Sequence, residues 1–262
     1  MALTFIEPDL QPDSWNALLY GPGGNGKTVG ACSAPGPLVL VNADGPDASR
    51  KSHAIYGDKI RELPFEGAET LREVYLYVTS DDGKDVRTVV LDPLGEIYQK
   101  LFEELHPPGS PRKSGLAAHG DVQTIIERFI RSMRDLSVNL VLVCHEEVAD
   151  LEGEAVRRPM TGGKKLPEKV IGMVSIVAYC GVVPADAEKG TPRRWVGQLI
   201  EAGKTYKVAG WAPVAEEARH QGLKPVWEVV EQWLKAQGGK VGTRKLNAPK
   251  VSGVVPNPGY VV

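Results

Sequence analysis

Apolar positions along this chain fall into two alternating patterns. Short continuous runs occur at Asn16–Tyr20, Pro37–Asn42, Val86–Asp92 and Val138–Cys144. Runs of this length with no polar alternation predict parallel strands covered on both faces. Between them, apolar residues recur at helical spacing. Leu71, Val74, Tyr75 and Val78 predict a helix over 67–79. Leu94, Ile97, Tyr98, Leu101 and Leu105 predict a second one after Pro93. Val122, Ile125, Ile126, Phe129, Ile130, Met133 and Leu136 form the longest apolar stripe, with Asp121 as its expected N-cap. Residues 60–65, 172–183 and 194–201 read as further strands. A short helix is expected at 214–219 and a longer one at 224–237. Residues 43–47, 81–83 and the Pro/Gly/Ser-rich stretch 106–120 read as turns and loops, and 148–169 as a mobile polar loop. Strands alternating with helices predict an α/β fold with a mostly parallel twisted sheet.

Composition narrows this modestly. The 262 residues carry a formal net charge of −2, which excludes a wholly basic nucleic-acid coat but leaves room for local basic segments. Neither a membrane-spanning run nor a secretory leader is visible. The three cysteines, Cys32, Cys144 and Cys180, each sit in an apolar setting. They read as buried thiols of a cytoplasmic protein. The expected organisation is an N-terminal arm over 1–15, a single α/β core over 16–237 and a flexible basic tail over 238–262. The tail contains lysine and arginine but no acid.

The chemistry centres on Gly21-Pro22-Gly23-Gly24-Asn25-Gly26-Lys27-Thr28, which matches the phosphate-loop pattern G-x-x-x-x-G-K-[ST]. Its glycines allow backbone N–H groups to converge on a triphosphate without a Cβ in the way. A helix starting at Thr28 and Val29 favours the same anion. Lys27 is expected to reach the outer phosphates of ATP, and the Thr28 hydroxyl to ligate Mg²⁺. The strand Val89-Val90-Leu91-Asp92 ends on an acid suited to the other side of the Mg²⁺ shell. Pro93 occupies the place after it, where many ring ATPases carry a glutamate. Asp44, just past the strand 37–42, is therefore the candidate that activates water. His145, at the end of the strand 138–144, is a candidate sensor of the terminal phosphate.

With those residues in place, the chain resembles the RecA/RadA recombinase core over about residues 16–210. The segment Leu38–Gly45 is similar to the one in which the family's catalytic acid follows the second strand. The family usually has glutamate where this chain has Asp44. His145 falls where the family has a polar residue that couples phosphate to a DNA-binding loop, and Thr161-Gly162-Gly163 resembles that loop's end. A core-only form of this kind is similar to phage-encoded single-strand annealing recombinases of the fourth Sak class. The resemblance implies a P-loop NTPase of RecA-like fold that hydrolyses ATP with Mg²⁺, binds single-stranded DNA, and works as a ring or filament in a phage-infected bacterial cytoplasm. It implies DNA contacts from Arg157, Arg158, Lys164 and Lys165, and a contribution from Lys204 and Lys207 to a neighbouring subunit's nucleotide. A single-strand-binding protein is a candidate partner of the tail. The rival readings are a P-loop kinase, for which no arginine-rich lid is visible, and a nucleotide-dependent switch or assembly module without DNA binding.

Overall fold

The computed structural model describes residues 14–109, 115–151, 153–163, 165–183 and 194–199. The proposed arm before residue 14, Arg112, Lys113, Lys164, Lys204, Lys207, the expected helices beyond 213 and the tail lie outside the described residues.

The continuous apolar runs form strands, as their lack of alternation requires. These are β1 (Asn16–Gly21), β2 (Leu38–Asn42), β3 (Ile60–Pro64), β4 (Thr88–Asp92) and the first half of β5 (Asn139–Leu151). With β6 (Glu154–Met160), β7 (Ile176–Val183) and β8 (Arg194–Leu199), the described residues build one eight-stranded sheet. Its order is β3-β2-β4-β5-β1-β7-β8, with β6 paired to β5. Pairing is parallel throughout β3 to β7, and only β6 and β8 run antiparallel. The sheet is thus mostly parallel, as the sequence predicts.

Alternate side chains of each strand feed two cores. Leu18, Tyr20, Leu91, Leu140 and Leu142 face one side, with the buried stripes of α3 (Ala68–Thr79), α4 (Leu94–Leu105), α5 (Gly115–Arg134) and α6 (Leu166–Met173). Leu19, Leu40, Val90, Val141 and Val143 face the other, packed on Ala31 and Cys32 of α1 (Lys27–Cys32). Because β1, β2, β4 and β5 run the same way, their carboxyl ends share one rim. Register places Asn42 beside Asp92 and Gly21 beside His145 on that rim.

Four local expectations are corrected. The chain does not merely turn at 43–47, since α2 (Pro46–Tyr56) starts there. Its buried positions are Ser49 and Ser52, so it carries no apolar stripe to betray it. Helix α5 begins at Gly115, six residues before the expected cap Asp121. Its extra turns are held by His119, whose Nδ1 lies 2.6 Å from the Tyr98 hydroxyl and whose ring stacks 4.3 Å from Phe102. Tertiary contact there overrides two weak helix formers, Gly115 and Gly120. The stretch 148–169 is not a loop. Its first part completes the hairpin β5–β6, and Leu166 opens α6. Gly153, with φ of 86°, turns the hairpin and donates its N–H to Asp150 Oδ1 at 2.8 Å. Finally, α6 occupies the start of the expected strand 172–183, leaving β7 to begin at Ile176.

Candidate nucleotide site

The phosphate loop joins β1 to α1 at the rim. Gly21 is required by close approach, since a Cβ there would lie 2.4 Å from the Cys180 carbonyl oxygen of β7. Asn25 Nδ2 donates to that same carbonyl at 3.2 Å, so the loop is pinned to β7 at two points. Gly24 and Gly26 take φ of 73° and 74°. The backbone thereby turns into α1, whose Gly30 N–H bonds back to the Gly26 carbonyl at 2.8 Å.

Two charged groups are buried under the loop, and neither is comfortable there. Lys27 is 6% exposed and donates Nζ to the Pro22 carbonyl at 2.8 Å. Burial depresses its ammonium, with the nearby Asp92 and Asp44 charges acting against that depression. Asp92, also 6% exposed, is pushed up to about 6 by burial. A hydrogen bond from Thr28 lowers it, and the Asp44 charge raises it. A carboxylate and an ammonium that both resist charging are poised for ligands that restore their charge. The donor set fits the expected group. One carboxylate and one hydroxyl in contact leave a magnesium ion's remaining positions to phosphate and water. Among the described residues no group of three or more His, Cys, Asp and Glu could hold a metal alone.

Asp44 is exposed at the carboxyl end of β2, close enough to bear on both Asp92 and Lys27. Its turn is held by Asn42, a residue whose role the sequence reading missed. Asn42 Oδ1 accepts the Asp44 and Gly45 N–H groups at 3.0 and 3.2 Å. The signal was present, since an asparagine side chain favours hydrogen bonds to the backbone two residues on, and Asp44-Gly45 lies there. His145 is half-buried, in register with the first glycine of the loop. Lys27, Thr28, Asp44, Asp92 and His145 thus converge at one rim.

The proposed DNA residues are arranged differently. Arg157 donates to Glu146 Oε1 at 2.6 Å and to the Tyr179 hydroxyl at 3.4 Å. Arg158 donates to Glu147 Oε1 at 2.6 Å, and its side chain is only 16% exposed. Lys165 is exposed at the start of α6. Gly162 lies against Tyr98, where a Cβ would come within 2.3 Å of the ring.

Residues 13–213 match the family model of an AAA domain. The chain belongs to that family. No curated protein matches the sequence. Similar solved structures include a KaiC-like protein from the archaeon Pyrococcus horikoshii, 16% identical with a TM-score of 0.45. Another is the flagellar accessory protein FlaH from Methanocaldococcus jannaschii, 8% identical with a TM-score of 0.42. Each overlap covers 71% of this chain and 78% of the other. With its phosphate loop, mostly parallel sheet and family match, the chain is a nucleotide-binding P-loop domain of the AAA ATPase class. Among the described residues, no helix is long and apolar enough to cross a membrane.

Proposed function

We propose that the chain hydrolyses ATP with Mg²⁺ and uses that cycle to control binding of single-stranded DNA through the β5–β6 hairpin, as an oligomer that promotes annealing or strand pairing. The observation that carries this reading is the continuity of β5. One strand holds His145 beside Gly21 and then runs on into the hairpin that bears Arg157 and Arg158. A change at the terminal phosphate has a direct covalent route to those arginines. In this reading Lys27 and the loop N–H groups bind the phosphates, and Thr28 with Asp92 hold the cation. Bound Mg²⁺ supplies charge neutralisation of the phosphates. Asp44 accepts a proton from the attacking water.

A specific observation favours the second reading, a nucleotide-driven switch or assembly module without DNA binding. Both arginines are already paired to glutamates of the same hairpin. A gel shift with labelled single-stranded DNA, with and without ATP and Mg²⁺, separates the two readings, alongside turnover of wild type and Asp44→Asn. The first reading requires an ATP-dependent shift and at least about a hundredfold loss of turnover in Asp44→Asn. Turnover without a shift under any nucleotide leaves the module reading. Unchanged turnover in Asp44→Asn removes the assigned base.

A further inference from the structure

The turn that carries Asp44 is held by more than its own strand. Asn42 is buried at the end of β2, and its amide is fully engaged. While Oδ1 accepts the Asp44 and Gly45 N–H groups, Nδ2 donates to the Gly45 carbonyl and to Glu62 Oε1, each at 2.7 Å. Glu62 sits on the neighbouring edge strand β3, with its side chain 19% exposed. Besides Asn42 of β2, its carboxylate gathers two donors from α2: the Ser49 hydroxyl at 3.0 Å, and His53 Nε2 in close contact with Oε2. Burial pushes the Glu62 carboxyl up, but the bonds from Asn42, Ser49 and His53 outweigh it and leave it below the usual range. It is therefore an anion, and an anionic carboxylate only accepts.

That asymmetry has a consequence for Asn42. An amide can present either end to a neighbour, and the two orientations differ only in hydrogen bonding. An acceptor-only partner on one side fixes the NH₂ end toward Glu62. The carbonyl end must then face the turn, where the Asp44 and Gly45 N–H groups need an acceptor. Asn42 also sits in register with Asp92, and the Ala43 N–H bonds to the Asp92 carbonyl at 2.8 Å. The same residue thus ties the Asp44 turn to the strand end that carries the proposed cation ligand.

We propose that Glu62 is a positioning residue for ATP hydrolysis: through Asn42 it sets the backbone of the Asp44 turn, and so the placement of the Asp44 carboxylate. The inference rests on the ATPase reading above, and its test is built to fail separately from that reading. Glu62→Ala and Glu62→Gln are compared with wild type in three measurements. These are amide exchange at Asp44 and Gly45 in the nucleotide-free protein, affinity for a fluorescent ATP analogue, and kcat. In Glu62→Ala both amides should exchange on the order of tenfold faster, because their acceptor is no longer oriented. Its kcat should fall roughly tenfold to a hundredfold, the scale of a misplaced reacting group, with affinity within about twofold. Glu62→Gln, whose Oε1 still accepts from Asn42 and Ser49, should recover most of both.

If Glu62→Ala does not stay folded, Ser49→Ala removes one donor from the same carboxylate and should move the same amides and kcat by a smaller factor. Wild-type kcat in folded Glu62→Ala overturns the proposal, as does a kcat loss with both amides still protected. A wild-type chain that binds ATP without hydrolysing it defeats the ATPase reading instead. Amide exchange alone then decides whether Glu62 orients the turn.

Discussion

The rim of the sheet and the β5–β6 hairpin carry the same kinds of side chain in opposite electrostatic states. At the rim, Lys27 and Asp92 are buried, and burial disfavours the charge on both. On the hairpin, Arg157 and Arg158 are matched to Glu146 and Glu147 in ion pairs. The rim therefore stores an unfavourable free energy that a bound phosphate and cation relieve, whereas the hairpin has to give up existing pairs before it can engage another anion. Preorganisation at one end and competition at the other is what a hydrolytic site needs beside a switchable one. A binding surface that must first break ion pairs responds to small changes in its supports.

The largest expected effect lies at the rim. Lys27→Ala removes the buried cation that faces the phosphates, and ATP affinity should fall by about a hundredfold or more. Isothermal titration of the folded variant checks this, and unchanged affinity would collapse the contrast at its stronger end.

Asp92→Asn tests the stored free energy itself. In the ligand-free fold the carboxyl is raised from its ordinary 3.8 to about 6. A raised acid is fully accommodated when protonated, so its contribution to stability is present below pH 4 and is lost as pH rises through 6. The displacement corresponds to about 3 kcal/mol at most. Asparagine does not titrate. Without nucleotide and Mg²⁺, Asp92→Asn should match wild type near pH 4 and be more stable at pH 8. Urea melts at the two pH values measure the difference. A variant less stable than wild type at pH 8 would show that the carboxylate is not strained. With Mg²⁺ and ATP the variant should bind and lose turnover.

The two regions were also unequally legible in the sequence. The rim was readable because its chemistry is spelled by adjacent residues. The P-loop is one continuous motif, and Asp92 and His145 end apolar runs whose direction the parallel sheet dictates. The hairpin was opaque because its two strands carry no regular apolar alternation. Residues 145–151 and 154–160 are held by backbone pairing and by Glu–Arg pairs, which in a linear sequence look like an irregular polar stretch. Helix α2 was missed for a related reason, since small polar Ser49 and Ser52 fill its buried side. Pro46 at its first turn and Asp47 after it were the available signals. Glu62 had none, because its role depends on which strand lies beside β2.

The link between the regions runs through His145, and removing it should have an intermediate effect. His145→Ala should bind ATP normally while losing the coupling between ATP and DNA, a factor of about five to a hundred. Coupling is reciprocal, so DNA should also cease to tighten ATP. Titrating each ligand with and without the other, in wild type and variant, closes the cycle. Equal mutual enhancement in both proteins would make His145 a packing residue and leave rim and hairpin energetically separate.

The smallest effect is expected at the hairpin, and it is the most informative about what the hairpin does. Arg157 is exposed and Arg158 mostly covered, so their ion pairs differ in setting. The Arg157 pair is exposed on the arginine side alone, since the Glu146 side chain is 17% exposed against 34% for Glu147, so Arg157→Ala strands a mostly buried carboxylate and should lower the melting temperature. Arg158→Ala leaves the more exposed Glu147 without its partner but removes a side chain that is itself mostly covered, and should be destabilising by a comparable amount. For DNA the two differ. Arg157 is the more exposed guanidinium and can leave Glu146 for a phosphate, while Arg158 is mostly covered and has farther to come. Each phosphate contact on a single strand contributes about 0.7 to the slope of log K against log salt. If both arginines reach phosphate, the double variant should flatten that slope by roughly one to one and a half, and Arg157→Ala alone should account for the larger half. Glu146→Gln should act in the opposite sense, freeing Arg157 and strengthening DNA binding at fixed salt. ATP affinity should be unchanged in all of them, since the phosphate loop is untouched. A double variant with wild-type DNA affinity and an unchanged salt slope would mean that the pairs seen on the hairpin are its working state. The ribbon would then be a rigid strut for assembly, with its charges spent on holding its own two strands together.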